Sequence, residues 1–394
     1  MSRRPPVADW TTDFDHLDPR WVEDPFPIWD ELRQKCPIAH TERFMGVYLP
    51  TRYEDVRAIA YDTEHFSSHR VVVREGMPPK GGAAPITTDP PKHAGAKALL
   101  LPAFTLDAIE RYAAKTREIC RELVEKVSGK SACDAAVDYA QEIPVRLMAH
   151  MLGIPAQDGG RFRRWIHELL ELGITDNDVS QRATDEMTEY FQAEAEKRRD
   201  APGDDLINYL LKARINGKPL SHNHFFGTLR LLLVAGIDTT WSAIGASLWH
   251  LATHDDDRRR LVADPDLLSV AVEEFLRAYS PVTMAREIVK ETCINGTTFK
   301  PGEMVLLSFP AANRDPAVFP DADRVVIDRA QNRHAAFGLG IHRCIGSNLA
   351  RMEIRTALEQ WLARIPEFRL DPDATVTWSE GTVRGPRRVP LLLS

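Results

Sequence analysis

The sequence predicts a mainly α-helical protein with a small β region, folded as a single domain over the whole chain of 394 residues. Two segments, 107–127 and 222–254, have strong helical periodicity and are long enough to cross a domain. Turn dipeptides at 295–296 and 301–302 mark a strand region after these helices. Because no linker divides the chain, we expect one domain, preceded by an N-terminal extension over about residues 1–20.

The first hundred residues combine short strands and helices with one long loop. Gly46–Pro50 is typical of a strand, and Asp55–Tyr61 is typical of a helix. Residues 67–92 contain eight glycines and prolines, which favour turns over regular structure. A loop of this length in a compact domain is usually functional or mobile.

The remaining elements follow in order. From about 93 to 256 the pattern is mostly helical, and a further helix over Leu267–Tyr279 is stopped by Pro281. The turn signals then predict strands, and 311–333 has little periodicity. The last helix is predicted over Ile345–Arg364, where apolar residues recur at helical spacing.

Composition argues against several partners and locations. The net charge of −7 gives no reason to expect a nucleic acid or an anionic membrane as a partner. The longest apolar run, Leu231–Ile237, is far too short to span a bilayer, and no apolar stretch follows the basic N-terminus, so we expect no signal peptide or membrane anchor. Five cysteines without paired spacing indicate a reducing cytoplasm.

The most informative segment is the run from Phe337 to Gly346, which contains Cys344. Cys344 precedes a predicted helix, whose unsatisfied N–H groups and dipole favour the thiolate that ligates metals. Gly338, Gly340 and Gly346 permit tight turns and leave room for a flat, bulky cofactor, while Phe337 can keep the sulfur dry. A cysteine thiolate on a haem iron favours O–O bond cleavage, so the run indicates oxygen activation.

The residues alone leave other roles open for Cys344. One is a buried structural cysteine beside a glycine turn. Another is a thiol nucleophile, with His334 or His342 as its base. A zinc site is disfavoured, because no second cysteine or histidine stands at ligand spacing.

Through this run and the Gly346–Arg351 segment after it, the chain resembles the cytochrome P-450 family of haem-thiolate monooxygenases, in particular its soluble bacterial members. The resemblance extends from about Asp24 to the C-terminus. It implies a single mainly α domain of the P-450 fold, in which haem b lies between a long central helix and the helix after the cysteine loop. It gives Cys344 the place of the axial iron ligand. Four further residues take the family's cofactor-binding positions in this loop: Phe337, Gly338, His342 and Gly346.

A second motif, from Glu274 to Arg277, places two opposite charges on one helix face through its i, i+3 spacing. Alone, such a pair is common and weak on helix surfaces. In the family it forms a buried network with a later arginine that holds the haem-side core together. The resemblance implies that Arg324 is this third member, although Val325 stands where the family usually has phenylalanine.

A third motif, from Ala235 to Thr240, places a glycine and paired threonines in the predicted long helix, where they weaken and bend it. A tolerated glycine with a buried threonine is the alternative on the residues alone. In the family this segment passes over the distal face of the haem, and a kink makes room for oxygen. The resemblance implies that Asp238 helps to deliver protons and that Thr239 hydrogen-bonds the bound oxygen. This pair favours the use of O2 over a reaction with peroxide alone.

Four residues match the family's cationic contacts to the haem carboxylates: His93, Lys97, Arg286 and His342. Lys97 stands where the family uses arginine, so it keeps the charge but loses the bidentate fork. Each of the four is also compatible with an ordinary solvated surface position.

The resemblance implies hydroxylation or oxidative dealkylation of a small hydrophobic molecule, with aromatic and terpenoid compounds favoured. The predicted pocket is mostly apolar, as such a substrate requires. Its residues are Leu232, Ala235, Val282, Thr283 and Val383. In the long loop, Arg70 and Arg74 either hold a substrate carboxylate or face solvent.

The chain contains no flavin or iron–sulfur motif, so its electrons come from outside. The resemblance implies a ferredoxin and a ferredoxin reductase as donors, with the ferredoxin docking on the cysteine side. Local positive charge for this docking comes from Lys92, Arg333, Arg343 and Arg351, unless these are ordinary surface charges. Two alternatives stay open: a peroxide-driven haem peroxygenase and a non-catalytic haem-thiolate sensor, which needs no Asp238/Thr239 pair.

Overall fold

The computed structural model describes residues 4–199, 201 and 203–393. The α-helices of this part of the chain are α1 (Pro19–Glu23), α2 (Phe26–Lys35), α3 (Tyr53–Tyr61), α4 (Lys92–Leu100), α5 (Leu106–Val127), α6 (Glu142–Leu152), α7 (Gly159–Leu170), α8 (Asn177–Lys197), α9 (Leu206–Lys212), α10 (His222–Thr253), α11 (Asp255–Ala263), α12 (Leu268–Ala278), α13 (Phe309–Ala312) and α14 (Ser347–Arg364).

The strands are shorter than the helices and contain fewer residues in total. They are β1 (Ile38–Thr41), β2 (Val47–Pro50), β3 (Phe66–Ser67), β4 (Ala132–Asp134), β5 (Arg214–Ile215), β6 (Lys218–Pro219), β7 (Thr283–Ile288), β8 (Thr292–Ile294), β9 (Thr297–Phe299), β10 (Met304–Ser308), β11 (Phe368–Leu370), β12 (Thr377–Trp378), β13 (Pro386–Arg388) and β14 (Pro390–Leu393).

The helix α10 lies at the centre of the helical region. The side chain of Ser221 caps its start by accepting a hydrogen bond from the backbone N–H of His224. Its residues are buried on nearly all sides, because it packs against α6, α8, α12 and α14. One large hydrophobic cluster joins α10 to α5, α6 and α14. The longest helix of the protein is therefore an element of the core.

The length and composition of α10 would also suit a membrane span, and no other helix among the described residues meets this test. Of its apolar window, 72% is buried inside the protein. The apolar character of α10 is thus accounted for by packing against the neighbouring helices.

The largest sheet has five strands in the order β1-β2-β10-β7-β3. Its centre is β10, which pairs antiparallel with β7 and parallel with β2, so that Met304 lies opposite both Glu287 and Val47. A three-stranded sheet has the order β11-β14-β4, and β5-β6, β8-β9 and β12-β13 form separate pairs. The strands β11 and β13 pack directly against α10.

The N-terminal segment belongs to the fold from Arg4 onward. Phe14 is fully buried in a cluster with Trp29 and Leu49, and Arg4 forms an ion pair with Asp15 at 3.2 Å. The predicted extension over 1–20 is therefore packed against the five-stranded sheet wherever its residues are described.

The mainly α fold with a small β region is confirmed, and most predicted elements are present. Asn295 and Gly296, with φ of +48° and +79°, form the predicted hairpin turn between β8 and β9. One predicted boundary is wrong: the last helix begins at Ser347 and not at Ile345. Gly346 has a non-helical ψ of 13° and occupies the N-cap position, which delays the first turn of the helix.

Candidate active site

The cysteine loop (residues 337–346) is held by a backbone hydrogen bond and by close contact with α3. The N–H of Cys344 donates to the carbonyl oxygen of Phe337 at 2.7 Å. Gly340 has a φ of +69°, and a Cβ there would lie 2.3 Å from the carbonyl oxygen of Ala60. Only glycine tolerates both the conformation and the approach. The loop therefore requires glycine at this position in order to pass α3 and reach α14.

The sulfur of Cys344 faces a space that protein encloses. Cys344 keeps solvent-accessible surface, yet burial is the largest influence on the pKa of its thiol, which it raises. The N–H of Gly346 and the charge of Lys97 act in the opposite direction. The lowering of the thiol pKa that we predicted from the helix N-terminus is therefore present, but it is smaller than the rise that burial causes. A bound metal ion reverses this balance, because a coordinated thiol loses its proton.

The middle of α10 has one exposed residue in an otherwise buried stretch. Ala235 is exposed, whereas Leu233 and Ile237 on either side of it are fully buried. Thr239 lies one turn further on the same face, and its Oγ1 donates to the carbonyl oxygen of Ala235 at 2.8 Å. We interpret this face as a second wall of the enclosed space.

The segment does not interrupt α10, which is one continuous helix from His222 to Thr253, and the predicted kink stays a prediction. Gly236 has a role in packing. A Cβ at this position would lie 2.2 Å from Cε of Met148, so the glycine admits α6 close to α10. The threonine is partly exposed and satisfies its hydroxyl within the helix.

Asp238 is fully buried and belongs to an ion-pair chain. Arg387 on β13 donates to both of its carboxylate oxygens, at 2.8 and 3.3 Å, and also contacts Glu171 at 2.9 Å. Burial raises the pKa of Asp238, and the charge of Arg387 opposes this rise. Glu171 in turn lies 3.4 Å from Nδ1 of His167 on α7. No sequence pattern indicates Arg387, which is far from Asp238 along the chain.

Three of the predicted cationic residues lie together. The rings of His93 and His342 are 4.4 Å apart, and Ser68 Oγ lies 2.9 Å from Nε2 of His342. Burial, followed by the charge of Arg286, lowers the pKa of His342 to about 3. The buried Nε2 of His93 has no hydrogen-bond partner, and among the described residues no carboxylate lies within 4 Å of the Arg286 guanidinium. The carboxylate of Asp89 raises the pKa of all three groups through its charge, but among the described residues it forms no ion pair with any of them within 4 Å.

Lys97 makes different contacts from those predicted. Its Nζ donates to the carbonyl oxygens of Ile341 and Arg343, at 2.5 and 3.0 Å. The ammonium group therefore ties α4 to the cysteine loop. Two of its three donors are used by loop carbonyls next to Cys344, and its contact with a cofactor carboxylate stays a prediction.

The structure brings together the predicted pocket residues at the start of β7 and at the turn before β13. Val282 and Val383 pair through a β-bridge, and the N–H of Thr283 donates to the carbonyl oxygen of Thr382 at 2.9 Å. Leu232 lies one helical turn before Ala235 on α10 and is buried in the core cluster.

Comparisons with known proteins identify this arrangement. The family model described as Cytochrome P450 matches residues 171–380. The chain is 35% identical over 377 residues to the mycinamicin IV hydroxylase/epoxidase of Micromonospora griseorubida, with 92% of this chain and 94% of the relative covered. The chain belongs to the cytochrome P-450 family. A second P-450 relative, the vitamin D(3) 25-hydroxylase of Pseudonocardia autotrophica, is 34% identical over 381 residues, and 94% of each protein is covered.

Solved P-450 structures have the same fold. The crystal structure of CYP101J2 superposes with a TM-score of 0.88 at 29% identity and covers 100% of both chains. The structure of CYP109E1 from Bacillus megaterium in complex with testosterone gives a TM-score of 0.88 at 30% identity, covering 94% of this chain and 97% of that one. The predictions of the family, the fold and the enzyme class are confirmed. This P-450 is a haem-thiolate monooxygenase with haem as its cofactor.

The residues of this P-450 fit the haem. The prosthetic group carries two carboxylates, and the cluster of His93, Arg286 and His342 offers donors without acidic partners, including the orphaned Nε2 of His93. A Cβ on Gly346 would lie 3.9 Å from Sγ of Cys344, so this glycine is directly beside the sulfur. Gly338 has a φ of +71°, which turns the loop just after Phe337. The enclosed space and the unpaired cations are what a flat dianionic cofactor needs.

The second motif of this P-450 forms a buried network, with one correction. Arg277 donates to both carboxylate oxygens of Glu274 at 2.8 Å. The third side chain is Arg329, whose Nε donates to Glu274 at 2.9 Å. Arg324 is exposed and contributes only its backbone carbonyl, which accepts from Arg277 at 2.6 Å. The prediction of Arg324 is wrong, because the chain between 324 and 329 turns back and carries the second arginine inward.

A second ion pair links the helix α12 to the start of α14. Glu273 accepts from Arg351 at 2.6 and 2.8 Å and contacts His334 at 3.0 Å, and Arg351 stacks 4.4 Å from the centre of the Phe337 ring. Burial raises the pKa of Glu273, but the hydrogen bonds from Arg351 and His334 outweigh burial and lower this pKa from 4.5 to about 2.

We expect acid to weaken this pair in a defined pH range. A carboxyl with a depressed folded-state pKa stabilises the protein above its unfolded pKa, so the contribution of Glu273 is lost as the pH falls from 4.5 to about 2. Glu273→Gln should lower the free energy of unfolding at pH 7 by on the order of 2 kcal/mol, after allowance for solvent screening. Urea titrations of both proteins at several pH values measure this. The difference between them should shrink toward pH 2 to 3, and a constant difference would contradict the assignment.

Proposed function

We propose that this P-450 uses O2 to hydroxylate or oxidatively dealkylate a small hydrophobic organic substrate, aromatic or terpenoid, with haem b as its cofactor. The observation that carries the proposal is the buried acid Asp238 directly before Thr239, on the face of α10 that is exposed at Ala235. Its pairing with Arg387 keeps a carboxylate inside the protein next to this face. A protein that only binds haem, or that reacts only with peroxide, has no need of a group that delivers protons there.

In this proposal bound haem would supply oxygen activation, which a thiolate ligand favours. Cys344 would hold the iron from the cysteine loop. Thr239 would offer the hydroxyl that it now donates to the carbonyl oxygen of Ala235. Asp238 would pass protons to the same face of α10. Arg387 and Glu171 continue the chain of polar groups from α10 to α7 and orient the acid.

The pocket and the relatives both support an apolar substrate. Ala235, Val282 and Val383 offer only hydrocarbon to a bound molecule, and Val282 and Val383 are fixed by their β-bridge. Two relatives are named for the hydroxylation of mycinamicin IV and of vitamin D(3). We extend hydroxylation, but not those substrates, to this chain.

An external ferredoxin and its reductase supply the electrons in this proposal, which places the reaction in the cytoplasm. Three of the four predicted docking cations, Lys92, Arg333 and Arg343, are exposed and available to an acidic partner. Arg351 is not part of this surface, because its guanidinium is held by Glu273 and by the Phe337 ring.

Turnover with a defined electron source tests the function. The purified holoprotein is supplied with NADPH, a ferredoxin reductase and a ferredoxin, and products from a panel of aromatic and terpenoid compounds are measured by mass spectrometry under labelled O2. We expect products that contain one labelled oxygen atom. Turnover with hydrogen peroxide alone would identify a peroxygenase. Ligand-induced changes of the haem spectrum without turnover from either oxidant would identify a sensor.

A further inference from the structure

Arg74 is a buried arginine with few partners. It lies in the long loop before α4, and 5% of its surface is exposed. Its Nη1 donates to Oγ of Ser180 at 2.9 Å, while its buried Nε has no hydrogen-bond partner. Among the residues that the structure describes, no carboxylate lies within 4 Å of this guanidinium. The loop therefore holds a positive charge inside the protein without a counter-ion.

Two other buried arginines have more partners than Arg74. Arg277 has a bidentate carboxylate and three backbone carbonyls, and Arg230 donates to Thr188 and to the carbonyl oxygen of Gly82. Arg286 also lacks a carboxylate within 4 Å among the described residues, and we assigned it above to the haem carboxylates. An unpaired buried charge is strongly unfavourable. Burial lowers the pKa of Arg74 to about 10, so the side chain is still charged at neutral pH. The fold thus bears a cost at Arg74 that a bound anion would offset.

The backbone contacts of the loop connect Arg74 to the predicted substrate pocket, so we infer that the anion is part of the substrate. The loop is fixed on one side by the N–H of Ala285 on β7, which donates to the carbonyl oxygen of Val71 at 2.8 Å. On the other side the N–H of Glu75 donates to the carbonyl oxygen of Ile174 at 2.9 Å. Ile174 also contacts the turn at Gly381, where an added Cβ would lie 2.7 Å from its side chain. Both β7 and this turn lead within two residues to the predicted pocket residues.

We propose that Arg74 binds a carboxylate of the substrate, so that the substrate is an otherwise apolar carboxylic acid. The inference rests on the proposed function and narrows its substrate class. The guanidinium offers a planar fork that matches a carboxylate, and Ser180 on α8 holds that fork in place through Nη1. Arg70, the other arginine predicted in this loop, is only half-buried and receives no such role. The apolar pocket holds the remainder of the molecule against Ala235 of α10.

Matched ligands test the proposal in the ferric holoprotein. Alkylbenzoic acids and medium-chain fatty acids are each compared with their methyl ester and primary amide, and dissociation constants are taken from the ligand-induced shift of the Soret band. The acid of at least one series should bind about 10- to 100-fold more tightly than its neutral forms, the range for hydrogen bonds to a charged group. Equal or weaker binding of the acids in every series would overturn the proposal.

Three variants test whether Arg74 causes the preference for acids over their neutral forms. Arg74→Met should remove the preference for the acid and leave ester binding within about twofold, because only the charged contact is lost. Arg74→Lys should retain part of the preference, since the charge remains without the fork. Arg182→Met is the matched control: Arg182 is an exposed residue of α8, and the change in net charge is the same. A preference that survives Arg74→Met, or that disappears in Arg182→Met, would contradict the assignment.

The carbonyl spectrum of the reduced protein distinguishes a failure of the Arg74 proposal from a failure of the proposed monooxygenase function. A thiolate-type spectrum without any preference for acids would overturn the role of Arg74 and leave the monooxygenase proposal standing. Loss of turnover with O2 in the wild type would overturn the proposed function itself. Should Arg74→Met fail to fold, the comparison of acids with esters in the wild type and in Arg74→Lys still decides the question.

Discussion

Replacing Asp238 by asparagine is expected to lower product formation by about 100-fold or more, the scale of general acid–base catalysis. Asparagine keeps the size of the side chain and its contact with Arg387 but cannot take up or release the proton. Electron uptake should continue, because the cysteine loop and its surface are unchanged. The expected signature is therefore a low yield of product per electron consumed, with the remaining electrons found in hydrogen peroxide or water.

The measurement is the ratio of product to NADPH consumed, in ordinary and heavy water. In Asp238→Asn the solvent isotope effect on product formation should exceed that of the wild type, since proton delivery becomes the slow step. Asp256→Asn is the control, because Asp256 lies on α11 with 97% of its side chain exposed. An unchanged product yield in Asp238→Asn would contradict the role of the acid and favour the peroxide-driven alternative.

Replacing Arg329 by methionine should destabilise the protein by about 3–5 kcal/mol, which is the cost of removing one partner from a buried ion pair. Glu274 is fully buried and accepts hydrogen bonds from Arg277, from Arg329 and from the side chain of Asn332. Loss of Arg329 leaves the carboxylate with one cation instead of two. We expect the variant to retain little haem, because the network supports the segment that leads into the cysteine loop.

The matched control for this prediction is Arg324→Met. Arg324 is exposed and acts only through its backbone carbonyl, so its substitution should change the free energy of unfolding by less than about 0.5 kcal/mol. Urea unfolding and the haem content of both purified variants measure the difference. Equal destabilisation by the two substitutions, or a larger effect of Arg324→Met, would restore the assignment made from the sequence.

These two sites illustrate what the sequence alone can and cannot predict. The cysteine loop and the Glu274–Arg277 pair were predictable, because each is a local pattern whose spacing fixes its geometry. Arg387 was not, because it meets Asp238 only through the packing of β13 on α10, and the two residues are 149 positions apart in the sequence. The choice between Arg324 and Arg329 likewise depends on how an irregular segment turns, which no periodicity encodes.

Three other residues make contacts that no sequence pattern predicts. The glycine at 236 resembles a helix breaker in the sequence, but the structure uses it to admit Met148 of α6. The charges of Lys97 and Arg351 were assigned by position along the chain, whereas their side chains are taken up by the carbonyls of the cysteine loop and by Glu273. Long flexible side chains reach several partners, so their contacts follow from tertiary packing and not from the motif.

The central claim is that Cys344 is the thiolate ligand of the haem iron. The most direct measurement is the carbonyl spectrum of the reduced protein for the wild type, for Cys344→Ser and for Cys293→Ser, whose cysteine is exposed on β8. The account predicts a thiolate-type spectrum in the wild type and in Cys293→Ser, and its loss in Cys344→Ser together with oxygen-dependent turnover. A thiolate-type spectrum that persists in Cys344→Ser would contradict the claim.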